Sequence, residues 1–123
     1  SAPVLIDVHV NVLRQMGYNT IHEWLQHPDH VYIGRSMLVS GTRIPGSIWA
    51  NPFKGDDRQA VVQQYYQYVC QNWHYYGPLI STLRGKVLGC WCVGSSTQPT
   101  GAQCHGHVLQ YLYNTMYPQT PPQ

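Results

Sequence analysis

The chain is short of charge: only 10% of its 123 residues are Asp, Glu, Lys or Arg, against roughly 25% in an average globular domain. Gln, Asn, His and Tyr do the solvating instead, and a weakly repelling surface suits self-association. A dense basic stripe is missing too. The formal net charge is +2 and the pI about 8.4, so charge alone does not mark a dedicated nucleic-acid binder. Near pH 6 several of the seven histidines would charge and make the domain distinctly basic.

Long apolar runs are also lacking. No window approaches the ~18 residues that cross a bilayer, so no membrane association is expected. No basic–apolar–small signal pattern opens the chain. Ser1-Ala2-Pro3, with no Met, is the expected start of a processed or trimmed chain, or of a segment of something longer, such as a viral polyprotein. The four cysteines would permit two disulfides. With no secretory signal, and with Cys90 and Cys92 only two positions apart, reduced thiols in an intracellular, cytoplasmic setting are expected.

What remains suffices for a core: 43% of the residues are hydrophobic, which argues against disorder. The length fits one domain, 1–117, followed by a flexible Pro/Gln tail, 118–123. Val4, Ile6, Val8 and Val10 alternate with Leu5, Asp7, His9 and Asn11, the period of a half-buried strand. Thr20 and Glu23 have capping-box spacing at the head of a short helix ending at Gln26. Val31–Gly34 reads as a second strand, and residues 35–56 as one long loop packed down by its own apolar residues. Asp56 and Asp57 offer an N-cap to a helix running to about Trp73, with Val61, Tyr65, Tyr68, Val69 and Asn72 on one stripe. Pro78 opens another short helix, with Leu79, Ile80 and Leu83 inward and Gly85 just past its end. Lys86–Val93 reads as a buried strand and 94–103 as a Gly/Ser/Thr/Pro loop. The last helix starts near Cys104 or His105 and carries Val108, Leu109, Leu112 and Met116 inward.

That order predicts a small α/β domain of two or three layers, with a short, mostly parallel sheet and flanking helices. It also predicts where chemistry gathers. The loops 35–56 and 94–103 leave the carboxyl ends of parallel strands, the edge at which open α/β sheets bind ligands. Arg35, Arg43, Lys54 and Arg58 fall within 24 positions. Arg58 sits in the first turn of a helix, where the macrodipole opposes a cation. A shared anion or a salt bridge to Asp56 or Asp57 would each resolve that conflict. Asn51, held extended before Pro52, would either pin the loop or face a polar ligand. Phe53 reads as a packing anchor, while Trp49 is open to packing or stacking on a ligand.

Cys90 and Cys92 share one strand face, and Cys104 and His105 open the last helix. Together they supply the Cys₃His donor set of a structural zinc site, although paired zinc cysteines usually stand two to four residues apart and only Trp91 separates these. The competing reading makes Cys92 or Cys104 a nucleophile, its thiolate favoured by the helix start, with His105 or His107 beside it as base or orienter. Cys70 and Cys90 read most simply as small buried hydrophobes.

Tyr32-Ile33-Gly34-Arg35, Trp49-Ala50-Asn51-Pro52-Phe53, Leu83 through Cys92 and Cys104-His105-Gly106-His107-Val108-Leu109 resemble, in that order, a small family described as domain of unknown function 4326, met in bacteria and viruses. The resemblance covers about residues 4–115. It implies Arg35, Asn51, Cys90, Cys92, Cys104 and His105 as motif positions, and no established activity. The chain departs from the family pattern by a longer insert between Cys92 and Cys104 and by His107 where the family is acidic.

These features favour binding, or processing, of a nucleotide-like or phosphorylated ligand at the carboxyl edge of the sheet. Arg35, Arg43 and Arg58 would hold the anion, Asn51 and Trp49 the organic part, and Cys92 or Cys104 with His105 a reacting centre. The alternative is a zinc-stabilised, non-catalytic module that binds protein or nucleic acid.

Overall fold

The computed structural model describes residues 1–92 and 104–118. Three parallel strands form its centre: β1 (Val4–Asp7), β2 (His30–Tyr32) and β5 (Val87–Cys90), in the spatial order β1-β5-β2. Leu5 stands opposite Leu88 and Asp7 opposite Cys90, while Tyr32 stands opposite Gly89. Because all three strands run the same way, the segments after Asp7, Tyr32 and Cys90 emerge at one edge. This is the α/β architecture expected from the element order.

The alternation of β5 divides the core. Leu88 and Cys90 face one cluster with Ile33, Tyr65, Val69, Ile80, Leu83, Val108 and Leu109. Val87 and Trp91 face a second cluster with Val8, Leu13, Ile21, Trp24, Tyr32 and Ile44. Gly89, on the second face, lies so close to Val8 and Trp24 that any Cβ there would collide with both.

The first face is covered by α3 (Arg58–Gln71) and α5 (His105–Met116). Asp57 caps α3, its carboxylate accepting from the Ala60 amide at 3.2 Å. No Gly or Pro interrupts α3, and Val62, Tyr65 and Val69 bury at i, i+3 and i+7. The expected stripe is therefore turned slightly: Val62 is inward, while Val61 and Tyr68 are half-buried. After α3 come α4 (Trp73–Tyr76) and a 3₁₀ turn, Gly77–Leu83, where a short helix from Pro78 was expected. Ile80 and Leu83 are buried as predicted, and Gly85 has the positive φ of +71° that favours glycine.

The second face is covered by α1 (Val10–Gln15), α2 (Ile21–Trp24) and a hairpin of β3 (Met37–Val39) and β4 (Thr42–Ile44). Here the structure corrects three expectations. The first strand ends at Asp7, and Val10 opens α1 and is exposed, because the amide of His9 is taken by the Asp7 carboxylate at 2.9 Å. Residues 35–56 are not one loop but contain the hairpin, which turns at Ser40 and Gly41, both with positive φ. Gly41 is the usual residue for such a turn, while Ser40 is a non-glycine at positive φ; the flanking three-residue strands were too short to be read. Finally, α2 is only four residues long, and its capping box forms only in part: the Glu23 amide donates to Thr20 Oγ1, while the Glu23 carboxylate accepts from the Asn19 amide, one residue before the cap.

Two further residues depart from expectation. Cys70 is exposed on α3, because its position lies one residue past the buried Val69. Met116 is exposed at the end of α5. The extension of β5 to Val93, the 94–103 loop and the 119–123 part of the tail lie outside the described residues. Among the described residues, no helix is long and apolar enough to cross a membrane.

Candidate functional site

A cavity of about 400 Å³ opens at the carboxyl edge of the sheet. Tyr32, Gly34 and Arg35 border it after β2, Cys90, Trp91 and Cys92 after β5, and Arg58, Val61 and Val62 along α3. Asn51, Phe53, Lys54 and Asp56 border it from the segment leading into α3, and Cys104 and His105 from the head of α5. Three cations and one carboxylate thus share one hollow.

The arginines hold the hollow together before they hold any ligand. Arg35 Nε donates to the Asn51 carbonyl at 2.9 Å and its Nη2 to the Phe53 carbonyl at 2.7 Å. Tyr32 donates to the Arg35 carbonyl at 2.7 Å and accepts from Trp91 Nε1 at 2.9 Å. Asn51 is buried; its Oδ1 accepts from the Phe53 amide and its Nδ2 donates to the Val61 carbonyl, at 2.9 and 3.4 Å. It pins the loop and also lines the cavity. Arg58 Nη1 donates to the Cys92 carbonyl at 3.0 Å, tying the start of α3 to the end of β5 across 34 positions.

Two expected ligand residues do not reach the cavity. Trp49 is buried in the core with Tyr76, and its carbonyl accepts from the Tyr65 hydroxyl at 2.8 Å. The apolar ring is worth more in the core than at a wet rim. Arg43 lies on β4 in the hairpin that the sequence did not reveal, and donates to Ser36 Oγ at 2.9 Å. Conversely, Phe53 lines the cavity, packed edge-on to Tyr68. Lys54, Asp56, Tyr32 and Met37 were not named as site residues. Lys54 was signalled by the density of basic residues around it, Asp56 as a possible partner of Arg58 and Tyr32 as the first residue of a family motif, while nothing pointed to Met37.

The cysteines and His105 converge at the floor. Cys92 and Cys104 are joined by a disulfide with their Cα atoms 5.3 Å apart, inside the range that needs no backbone movement. The expectation of four reduced thiols is corrected here: α5 starts directly beside the end of β5, which eleven intervening residues hid from the sequence. In this state neither sulfur is a free nucleophile. Cys90 is a free, buried thiol whose Sγ lies 3.0 Å from that of Cys92. Burial pushes the Cys90 thiol pKa up, against the backbone hydrogen bonds at Cys92 and Trp91 that favour the thiolate.

His105 supplies the geometric centre. Its Nδ1 lies 3.8 Å from each of the three sulfurs, of Cys90, Cys92 and Cys104. Its Nε2 stands 2.7 Å from the Ile33 carbonyl, which can only accept, so Nε2 carries the proton and Nδ1 presents its lone pair to the sulfurs. Burial pushes the imidazole down to about 4, and Arg35 adds to the shift. The ring is therefore neutral at neutral pH, the form a metal requires.

The four donor atoms all lie within 4.8 Å of one another, so this group could hold a metal ion. Zinc bond lengths place S···N edges at about 3.6 Å and S···S edges at about 3.8 Å. The nitrogen already stands near that geometry; once reduced, the Cys92 and Cys104 sulfurs would part from bonding distance to about 3.8 Å, and those of Cys90 and Cys92 would spread to it from 3.0 Å. The His105–Ile33 hydrogen bond is the outer contact that commonly orients a ligating imidazole.

The head of α5 is built to hold this position. Cys104 Sγ accepts from the Gly106 amide, and the Cys104 amide donates to His107 Nδ1 at 3.2 Å. This is a capping box made of Cys and His, so His107 is a cap rather than a fifth member of the cluster. Gly106 lies against Leu5 and Ile33, where any Cβ would collide with both. That close approach brings Cys104 and His105 to the sheet edge.

A family model matches residues 18–115, described as a domain of unknown function, DUF4326. The chain belongs to this family. It is also 32% identical over 117 residues to the uncharacterized protein R718 of Acanthamoeba polyphaga mimivirus, covering 92% of this chain and 81% of that protein. No solved structure matches the fold significantly. The match spans the cavity-lining segments from Tyr32 to His105, so the cavity belongs to the family domain rather than to an addition.

Proposed function

We propose that the domain binds a nucleotide-like or otherwise phosphorylated small molecule in the cavity at the carboxyl edge, with a zinc ion on Cys90, Cys92, Cys104 and His105 as one wall. The observation that carries this reading is the meeting of Arg35, Lys54 and Arg58 with the Cys₃His cluster around one hollow of about 400 Å³, a size suited to a small organic ligand. Arg58 stands in the first turn of α3, beside the Asp57 cap, at a helix end whose dipole favours an anion. Phe53 and Met37 supply apolar surface for the organic part. Four protein donors fill a tetrahedral zinc, leaving no open position, so the metal's role is structural.

The test is calorimetric titration of reduced, zinc-loaded protein with nucleoside mono-, di- and triphosphates. Saturable binding is expected for at least one of them, weakened about tenfold or more in Lys54→Ala and Arg58→Ala, the loss of one charge-assisted contact. Binding by none, or binding unchanged in both variants, would overturn the ligand reading. The competing module reading has the exposed Tyr75 and Tyr111 to offer a protein partner. It predicts the same zinc but no nucleotide binding.

A further inference from the structure

We propose that the Cys₃His cluster is a redox-released metal site, in which a hydroperoxide converts Cys92 and Cys104 to the disulfide and expels the metal. The inference rests on the reading of these four residues as metal ligands, and adds to it how the site is emptied. Two observations carry it. The same four side chains compose both states: the disulfide joins Cys92 to Cys104, while Cys90 Sγ and His105 Nδ1 remain 3.0 and 3.8 Å from Cys92 Sγ. Oxidation therefore removes two of four donors at once and leaves a thiol and an imidazole, too few for a tetrahedral ion. The access is unequal as well. Cys90 and Cys104 are buried, at 3% and 1% exposure, whereas Cys92 is half-buried and all three border the cavity. A small peroxide entering the hollow meets Cys92 first.

The chemistry closes without further reagents. The Cys92 thiolate attacks the terminal peroxide oxygen and the O–O bond breaks. The alkoxide or hydroxide leaves after taking a proton, and Cys92 becomes a sulfenic acid. The Cys104 thiolate then attacks that sulfur; the S–S bond forms, the S–O bond breaks, and hydroxide departs as water with a second proton. Two electrons pass from the sulfurs to the peroxide, and the divalent ion leaves. A dithiol reductant reverses the sulfur chemistry and restores the donors. The consequence reaches the cavity through Arg58, which holds the Cys92 carbonyl at 3.0 Å.

The test uses the full chain, reduced with a dithiol, freed of reductant and loaded with zinc. Hydrogen peroxide is added, freed zinc is read with a chromogenic chelator, and disulfides are mapped by peptide mass spectrometry. One zinc released per Cys92–Cys104 disulfide is expected, with Cys90 and Cys70 still alkylatable and zinc binding recovered on reduction. The Cys70→Ser variant, which removes the exposed thiol, is expected to behave identically. Zinc retained alongside the disulfide, a different cysteine pair, or irreversible over-oxidation would each overturn the inference. Reduced protein that takes up no zinc would overturn the metal reading beneath it, a result visible before any peroxide is added.

Discussion

The two faces of the sheet are built from the same kind of residue and do different things. On the α1, α2 and hairpin side, Val8, Leu13, Ile21, Trp24 and Ile44 pack into a core that borders the hollow through Tyr32 and Trp91, which hydrogen-bond to each other, and brings no cysteine or histidine donor to it. On the α3 and α5 side, the core of Ile33, Val69, Leu88 and Leu109 runs up to Cys90, Cys104 and His105 before reaching the hollow. Only two side chains classed as polar are buried among the described residues, Asn51 and His105, and both line that hollow. Each has its hydrogen bonds made. One face stabilises the domain, and the other also positions donor atoms, which costs it apolar area at the sheet edge.

The sharpest way to test that division is a matched pair of truncations. Leu13 and Leu109 are both at 0% exposure, on opposite faces. Leu13→Ala and Leu109→Ala are each expected to destabilise by about 2–5 kcal/mol in urea unfolding. Only Leu109→Ala should also weaken zinc affinity, because α5 carries Cys104 and His105. Equal metal affinity in the two variants would mean that the faces are not functionally distinct.

Metal removal is the next largest effect. With free zinc held at 100 times its dissociation constant, the reduced protein should be about 2.7 kcal/mol more stable than after chelation. Thermal unfolding with and without a chelator measures this. On the proposed reading Cys90→Ala loses the difference, while Cys70→Ala, on the exposed side of α3, keeps it.

The caps give the smallest contrast. Asp57→Ala and Thr20→Ala each remove one helix cap and should cost about 1 kcal/mol. Their thermal shifts should be similar. Asp57 caps the helix whose first residue is Arg58, so only its loss should weaken ligand binding at the hollow, and the calorimetric titration reads this directly.

Much of the fold was legible because it depends on local periodicity. β1 follows from alternation, β5 from a short apolar run, α3 from an uninterrupted helical stretch after two acids, and α5 from the apolar spacing of Val108, Leu109 and Leu112. The hairpin was not legible. Its strands are three residues each, Leu38 is 59% exposed, and Ser40-Gly41 marks a turn without showing that strands flank it. Trp49 was ambiguous because an aromatic in a loop reads alike whether it anchors the loop or faces a ligand. Its carbonyl contact with Tyr65, sixteen residues on, decides for the core. The cap at Cys104 and His107 escaped notice because sulfur and imidazole stand in for hydroxyl and carboxylate.

By itself the sequence determined the three parallel strands and the two long helices, the shared edge at which those strands end, and the donor set Cys90, Cys92, Cys104 and His105. These depend on neighbours within one helical turn or one strand, and on the rule that parallel strands end together. The tertiary structure alone decided that Cys104 comes within bonding distance of Cys92, that His105 turns Nδ1 rather than Nε2 toward the sulfurs, and that Arg58 reaches the Cys92 carbonyl. Those outcomes depend on Gly106 letting α5 close against Leu5 and Ile33, and on a carbonyl 72 residues earlier fixing the imidazole. Contacts of that range are settled by packing, not by the chain's local preferences.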